Sequence, residues 1–287
     1  MRKTVNFDEP SILHFYCGDA SGSPRSLISF FVHEGATRGQ RGVGHVSAIV
    51  LAVAKGSLPK WRRHLKKSGA QIEGTAWAFG SEYLCFNDPD GLELALCEER
   101  NSRYGATDNG RDRESEYRIK GIQSIEMQIE GFQFTSNFLH KLGFTQTGHE
   151  GSLFRFQQGS HECPVIVDLL CTPDHRPGSP GPGLINHIAL LVSDANALTS
   201  IASDIAAFGY DVTPPLDRQY FSAVYFRGPN GAKFAVATFG PGFPPVDNID
   251  QMADILSLPS WLEPQRAKIE QRFRKLSARV SRDPATH

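Results

Sequence analysis

Three stretches of this chain repeat one order of elements, and such a repeat restricts the fold more tightly than composition does. The first runs from Gly44 to Glu99, "GHVSAIVLAVAKGSLPKWRRHLKKSGAQIEGTAWAFGSEYLCFNDPDGLELALCEE". It opens on an apolar strand, Val46 to Val53. An amphipathic helix follows, with Leu58, Trp61 and Leu65 on one side and Lys60, Arg62, Arg63, Lys66 and Lys67 elsewhere. Gly69 ends that helix, because the residue past a helix C-terminus commonly takes a left-handed conformation. Three short strands close the unit, with a turn at Asp88-Pro89-Asp90-Gly91. The order β-α-β-β-β returns from Gly121 to Pro173 and again from Gly183 to Phe239. Each return carries a helix that ends in a Gly-aromatic pair, Gly143-Phe144 and Gly209-Tyr210. The turn Gly228-Pro229-Asn230-Gly231 matches Asp88 to Gly91 in position.

The segment before His45 holds only "RKTVNF", "ILHFYCGD" and "SLISFFVH". These read as the last three strands of a fourth unit whose β-α portion, roughly 35 residues in a strand plus crossover helix, is not in the sequence. The expected layout is a partial unit over 1–41, complete units over 42–100, 119–172 and 184–243, and a helical tail over 244–287. Residues 101–118 are a polar, charged linker and 173–183 a Pro/Gly-rich one. The tail from Ser257 onward reads as an amphipathic helix, with Ile269, Phe273 and Leu276 at i, i+4 and i+7.

Composition closes several function classes. A formal net charge of −1 offers no electrostatic reason for a nucleic-acid or membrane partner. No apolar run is long enough to span a bilayer, and "MRKTVNFDEP" has no apolar core of a signal peptide. The five cysteines, Cys17, Cys85, Cys97, Cys163 and Cys171, form no CxxC pair. They read as reduced thiols of a cytoplasmic protein, with no zinc site.

Polar side chains inside the apolar strands mark the candidate site. The stretch "DRQYFSAVYFRGPNGAKFAVATFGPGF", Asp217 to Phe243, reads as a strand, a Pro-Asn-Gly turn and a second strand. Arg218, Tyr220 and Tyr225 stand among its apolar positions. Arg218 and Tyr225 suit an anionic or phenolic ligand through charge-assisted hydrogen bonds; an ion pair of Arg218 with Asp217 or Asp211 would serve structure alone. His14 and Tyr16 are two apart on a strand, so alternation aims both at one face, as a ligand wall or as an aromatic cross-strand pair.

The stretches "KTVNFDEPSILHFYCGDASGSPRSLISFF", "GSLPKWRRHL", "NHIALLV", "DRQYFSAVYFRGPNG", "ATFGPGF" and "LSLPSWLEPQRAKIE" resemble the vicinal-oxygen-chelate superfamily of glyoxalases and extradiol dioxygenases. The closer resemblance is to four-unit ring-cleaving dioxygenases that act on hydroquinones. It covers nearly the whole chain. The resemblance implies an α+β fold of paired βαβββ units, three complete plus the last three strands of a fourth, in cupped mixed sheets with a C-terminal amphipathic helix. It implies O2-dependent opening of a dihydroxylated aromatic ring at one Fe(II) or Mn(II) held by two His and one carboxylate. In this resemblance Arg218 and Tyr225 match positions near the substrate and are the expected catalytic residues; His14 and Tyr16, by their alternation, and Tyr220 are the expected substrate-binding residues.

The family's first His lies on the opening strand of the first unit, which this sequence lacks. The second matches His187 in Asn186-His187-Ile188-Ala189. The carboxylate is a Glu four residues past the last-turn glycine, and four past Gly231 stands Ala235. One ligand of three is therefore present, which leaves two readings: a metal-free relative, or a chain that holds Fe(II) or Mn(II) at a different site. In the third unit Ser124 and Asp168 occupy the places of His187 and Ala235, with Glu126 on the face of Ser124. His45 falls three residues before the equivalent place in the second unit, and strand parity turns it away. His33-Glu34 and His161 to Pro164 read as solvated turns. The alternative function is a metal-free small-molecule binding or accessory subunit that uses the same cavity for a phenolic ligand. The unpaired sheet edge left by the absent β-α portion points to a homo- or hetero-oligomer, a dimer for example, or to a start codon lying upstream.

Overall fold

A computed structural model describes residues 2–19, 22–23, 25–99, 117–159, 164–243 and 255–280, with side chains up to 274. The first unit supplies β1 (Arg2–Val5), β2 (Leu13–Cys17) and β3 (Ile28–Val32). The second is β4 (His45–Val53), α1 (Leu58–Lys67), β5 (Gln71–Ala78), β6 (Ser81–Asn87) and β7 (Glu93–Glu98). The third is β8 (Ile119–Ile129), α2 (Phe132–Lys141), β9 (Thr145–Glu150), β10 (Leu153–Gln158) and β11 (Val165–Cys171). The fourth is β12 (Ile188–Val192), α3 (Ala195–Ala207), β13 (Leu216–Asp217), β14 (Phe221–Arg227) and β15 (Lys233–Pro241). A last helix, α4, covers Arg266–Val280. This is the mixed α+β architecture that the repeat requires.

Local chemistry sets the element ends. Pro59 starts α1, where a missing N–H is harmless. His64, Lys66 and Lys67 fill its last turn against the negative dipole end. Gly69 follows at φ +78°. Asp194 caps α3 by accepting from the N–H groups of Asn196 and Ala197. Asn230 (φ 57°) and Gly231 (φ 77°) make the reversal before β15. Two boundaries differ from the sequence expectation. Gln219 takes φ +66°, and Arg218 and Phe221 close a turn by a backbone bond of 2.9 Å. Arg218 and Tyr220 therefore sit on the β13–β14 turn and not within a strand. The tail is not helical from Ser257; α4 begins at Arg266, after a short 3-10 turn over Glu263–Gln265 that contains Pro264. Leu276 lies outside the described side chains.

Within each complete unit the first strand runs parallel to the last. β4 pairs with β7, β8 with β11 and β12 with β15. The second and third units join through their first strands, β4 antiparallel to β8. One eight-stranded sheet results, in the order β5-β6-β7-β4-β8-β11-β10-β9. The fourth unit is a four-stranded sheet, β12-β15-β14-β13, and the first a three-stranded one, β1-β2-β3. Apolar faces determine what packs outside these sheets. Phe138 and Leu139 of α2 and Leu198 and Ile205 of α3 share a core with Phe156, Val224, Phe226 and Phe234. Leu58, Trp61 and Leu65 of α1 pack on Ile49, Leu51 and Leu96. The outer face of the first unit, Val5 and Leu13, is covered by Leu256, Leu258, Leu262, Ile269 and Phe273 from the tail. Among the described residues no helix is long and apolar enough to cross a membrane.

Candidate functional site

The first and fourth units face each other across a cup, and strand register decides which side chains enter it. In the first unit Thr4 pairs with His14, and Arg2 with Tyr16. On β3, Phe31 pairs with His14 and Ser29 with Tyr16. Directly paired residues point to one face, so Arg2, Thr4, His14, Tyr16, Ser29 and Phe31 form the inner wall. The His14 ring stacks on Phe31 at 4.1 Å and lies 4.2 Å from Tyr16. The alternation that places His14 and Tyr16 together is therefore borne out, with Phe31 as a third ring.

In the fourth unit Ala189 pairs with Ala235, and Ala235 with Tyr225. One line of residues crosses the sheet: Ala189, Ala235, Tyr225. His187 stands just before β12, two residues ahead of Ala189 and on the same side. Its ring meets Tyr225 edge-on at 5.7 Å. Arg218 reaches in from the β13–β14 turn. Its Nε donates to the Tyr225 hydroxyl at 3.1 Å, and its Nη1 donates to Asp8 Oδ1 at 2.8 Å. The partner is thus Asp8 of the first unit, not Asp217 or Asp211. Tyr220 lies on Phe243 at 4.6 Å and edge-on to Tyr16 at 6.1 Å. The fold gathers all six side chains singled out from the sequence: His14, Tyr16, His187, Arg218, Tyr220 and Tyr225.

Their surroundings determine their charge. Burial, then the proximity of His187 and of the Arg218 cation, push His14 down to about 4. Burial, then Lys233 and Arg218, push His187 down to about 4. Burial holds Tyr16 well above the usual phenol range, with Tyr225 and Tyr220 adding and Arg218 opposing. Burial also works against the Arg218 cation, but Asp8 and Tyr225 more than offset it, and its pKa is raised. At neutral pH the cup presents uncharged imidazoles and the Tyr16 phenol beside two guanidiniums, that of Arg218 and that of Arg2, which lies over the Tyr220 and Phe243 rings at 5.5 and 5.1 Å. Thr4 Oγ1, His14 Nε2 and the Tyr220 hydroxyl are buried there without a hydrogen-bond partner among the described residues. Buried polar atoms are ordinarily satisfied, so these three are places where a ligand or water is expected.

The donors do not fit a resident Fe(II) or Mn(II). Among the described residues no group of three or more His, Cys, Asp or Glu side chains is placed to hold a metal ion. At position 235 the side chain is a methyl group, 2% exposed. Two imidazoles, His14 and His187, with no carboxylate grouped with them among the described residues, are a poor site for cations at the weak end of the divalent series.

The equivalent cup of the eight-stranded sheet is closed by its own side chains. Asp168 accepts two bonds of 2.7 Å from Arg155 Nε and Nη2, and Nη2 also donates to Tyr83 at 3.2 Å. Phe79 lies over that guanidinium at 4.0 Å. Glu126 accepts from Ser47 at 2.7 Å, and burial raises its pKa against that bond. Ser124 is buried on the same face. His45 is elsewhere, against the Pro177-Gly178 segment. His33-Glu34 is exposed, and His161 to Cys163 lie outside the described residues. The sequence reading missed Arg155 and Asp8. A lone cation in "LFRF" opposite a lone carboxylate in "IVDLL" was a usable signal for Arg155. Asp8 had none, because its partner is 210 residues away.

Comparison with known proteins gives a consistent picture. No family model matches the chain. MhqO of Bacillus subtilis (strain 168), named as a candidate ring-cleaving dioxygenase, is 34% identical over 272 residues, 94% of this chain and 86% of MhqO. MhqE of the same organism, named likewise, is 31% identical over 94% of this chain and 88% of its own. A crystal structure of a candidate dioxygenase from Bacillus subtilis subsp. subtilis str. 168 matches with a TM-score of 0.85 at 33% identity, over 94% of this chain and 86% of that one. Glyoxalase I from Zea mays shares the fold, with a TM-score of 0.61 at 12% identity over 83% of each chain.

Proposed function

Because this chain belongs to the ring-cleaving dioxygenase family of the vicinal-oxygen-chelate superfamily, we propose that its cup holds a small dihydroxylated aromatic molecule, without the divalent metal that ring opening requires. The observation that carries this reading is the row Ala189, Ala235, Tyr225. A methyl group stands at the point of the sheet where, by family resemblance, the metal's carboxylate belongs. His187 remains two residues from that row with no carboxylate beside it.

The remaining residues suit recognition of a phenol. Arg218 offers a charge-assisted hydrogen bond to a phenolate or to a hydroxyl that is losing its proton. Tyr225, already oriented by Arg218, can accept from or donate to the same oxygen. The neutral rings of His14 and His187 can each donate or accept, and His14 Nε2 and the Tyr220 hydroxyl have unused capacity. Phe31 and Tyr16 supply aromatic surface against the ligand ring, an arrangement that favours stacked or edge-to-face contacts. We place the protein in the cytoplasm, in keeping with free thiols at Cys17, Cys85, Cys97 and Cys171.

The deciding experiment is elemental analysis of protein purified anaerobically under reducing conditions, with Fe(II) and Mn(II) both offered. Hydroquinone and catechol titrations by calorimetry and an oxygen-uptake assay accompany it. The proposal predicts no stoichiometric metal, measurable hydroquinone binding that Arg218→Met weakens, and no oxygen uptake. A metal bound near one per chain and lost in His187→Ala would overturn it in favour of a working dioxygenase.

A further inference from the structure

The inner face of the eight-stranded sheet carries a charge that its own side chains do not match. Register fixes which residues share that face with the central strand β8. Glu126 pairs with Asp168 of β11 on one flank and with Ala48 of β4 on the other. Asp168 pairs in turn with Arg155 of β10. Ser124, two residues along β8, pairs with Val50; Val50 pairs with Ala95, and Ala95 with Cys85. Directly paired residues point to one face, so all of these line a single surface.

Arg155 is already matched, because Asp168 accepts from both its Nε and its Nη2. Glu126 is left with Ser47, whose hydroxyl donates to Oε1 at 2.7 Å. Burial raises the Glu126 pKa, the Ser47 bond opposes and Asp168 adds; no cation among the described residues pulls it down. An ionised carboxylate buried without a counter-charge is costly, and an acid perturbed in this way marks a candidate functional site. Ser124 is an independent sign. It is 2% exposed, and its Oγ has no hydrogen-bond partner among the described residues, whereas buried hydroxyls are ordinarily satisfied. Two residues along a strand place Ser124 and Glu126 about 7 Å apart at the backbone, within the span of one small molecule. Ser47, Cys85 and Glu126 are half-buried, so solvent reaches the carboxylate.

We propose that the Ser124–Glu126 face of β8 binds a small primary ammonium cation. Glu126 supplies the counter-charge and accepts one N–H in a charge-assisted bond. Ser124 Oγ accepts a second N–H, and a short alkyl group lies on Ala48, Val50 and Ala95. Charge, donor type and size select this chemistry together. Arg155 and Asp168 cancel, so Glu126 leaves one net negative charge that a monovalent cation neutralises. The groups with unused capacity are oxygens, so the cation must carry N–H donors. The floor is alanine and valine, which offers apolar contact and no further polar group. With Asp168 held by Arg155, one free carboxylate remains, too few oxygens for a divalent metal. The site lies in the sheet of the second and third units and uses none of the residues of the first cup.

The test uses the full chain at about pH 8, below the pKa of a primary amine. Methylammonium chloride is titrated at constant ionic strength. Tetramethylammonium chloride, which has the charge but no N–H, is the control. Binding is read by calorimetry and by the carbon-13 carboxyl resonances of glutamate-labelled protein. The expected result is saturable binding with a dissociation constant on the order of 1 mM, accompanied by movement of one carboxyl resonance. Ser124→Ala weakens it about tenfold, as loss of one bond to a charged group does. Glu126→Gln abolishes it and removes the moving resonance while circular dichroism stays unchanged. Binding retained in Glu126→Gln, an equal response to tetramethylammonium, or no saturation by about 10 mM overturns the proposal. Should Glu126→Gln fail to fold, the labelled wild-type chain decides. A carboxyl resonance shifted by methylammonium and not by tetramethylammonium supports the site, and the lack of one overturns it. Metal content and hydroquinone binding play no part in this readout, so its failure is separable from failure of the proposed function.

Discussion

Replacing Arg218 with methionine separates a ligand-binding arginine from a structural one, because the structure assigns different magnitudes to the two roles. For folding, the substitution removes an ion pair to Asp8, a carboxylate that is 69% exposed. Exposed pairs of that kind are worth about 0.2–1 kcal/mol. It also removes one bond to the Tyr225 hydroxyl, worth about 1 kcal/mol net. Asp8 returns to water, and the methionine keeps most of the apolar stem in place. The expected loss of stability is therefore about 1–2 kcal/mol. For binding, a hydrogen bond from a charged group to a phenolic oxygen contributes about 1.5–3 kcal/mol, which corresponds to roughly a ten- to hundredfold weaker dissociation constant. Arg218→Lys keeps the charge but loses the fork that reaches Tyr225 and Asp8 together, and it should fall between the two. Urea denaturation measures the first quantity and calorimetric titration with hydroquinone under argon the second. Hydroquinone affinity unchanged within twofold, together with a stability loss above about 3 kcal/mol, would refute the assignment of Arg218 to the ligand.

Three further outcomes are expected. His14 sits near 4 in the folded protein against about 6.5 in an unfolded chain. The unfolded state binds its proton first as pH falls, so stability is fully present above about pH 6.5 and is lost between there and about pH 4, by on the order of 3 kcal/mol from this group; thermal melts across that range should flatten in His14→Gln. Asp168→Asn leaves the Arg155 guanidinium buried without its counter-charge and should cost about 3–5 kcal/mol in urea denaturation, whereas Arg155→Met with Asp168→Leu should recover most of the loss. Phe234→Ala opens a cavity in the core shared by the third and fourth units and should cost about 3–5 kcal/mol, with hydroquinone affinity unchanged in whatever fraction remains folded.

Much of the architecture was legible in the order of residues. Helical spacing at Leu58, Trp61 and Leu65, alternation in the strands, and Gly or Asn at the turns are local properties that recur at fixed intervals. Their recurrence identified three complete units and a partial one, which the elements bear out. Alternation also placed His14 and Tyr16 on one face. The β13–β14 turn was harder, because Gln219 carries its positive φ with none of the glycine that would announce it. Pro264 held α4 back to Arg266 in a stretch whose apolar spacing continued further upstream.

Other features depend on which distant segments meet. Alternation shows that a strand has two faces but not which strand stands beside it, so the junction of β4 with β8 came only from the assembled sheets. The same holds for Asp8 with Arg218 and for Phe79 with Arg155, where no local signal links partners so far apart in sequence. It holds for the tail, whose apolar stripe was plain but whose target, the outer face of the first unit, was not. The sequence by itself determined the units, their turns and the alanine at position 235, because each is a property of neighbouring residues; that a carboxylate belongs there is what the family resemblance adds. Tertiary structure alone decided which units share a cup and which polar groups in it lie buried without partners among the described residues, because these follow from how the units pack on one another.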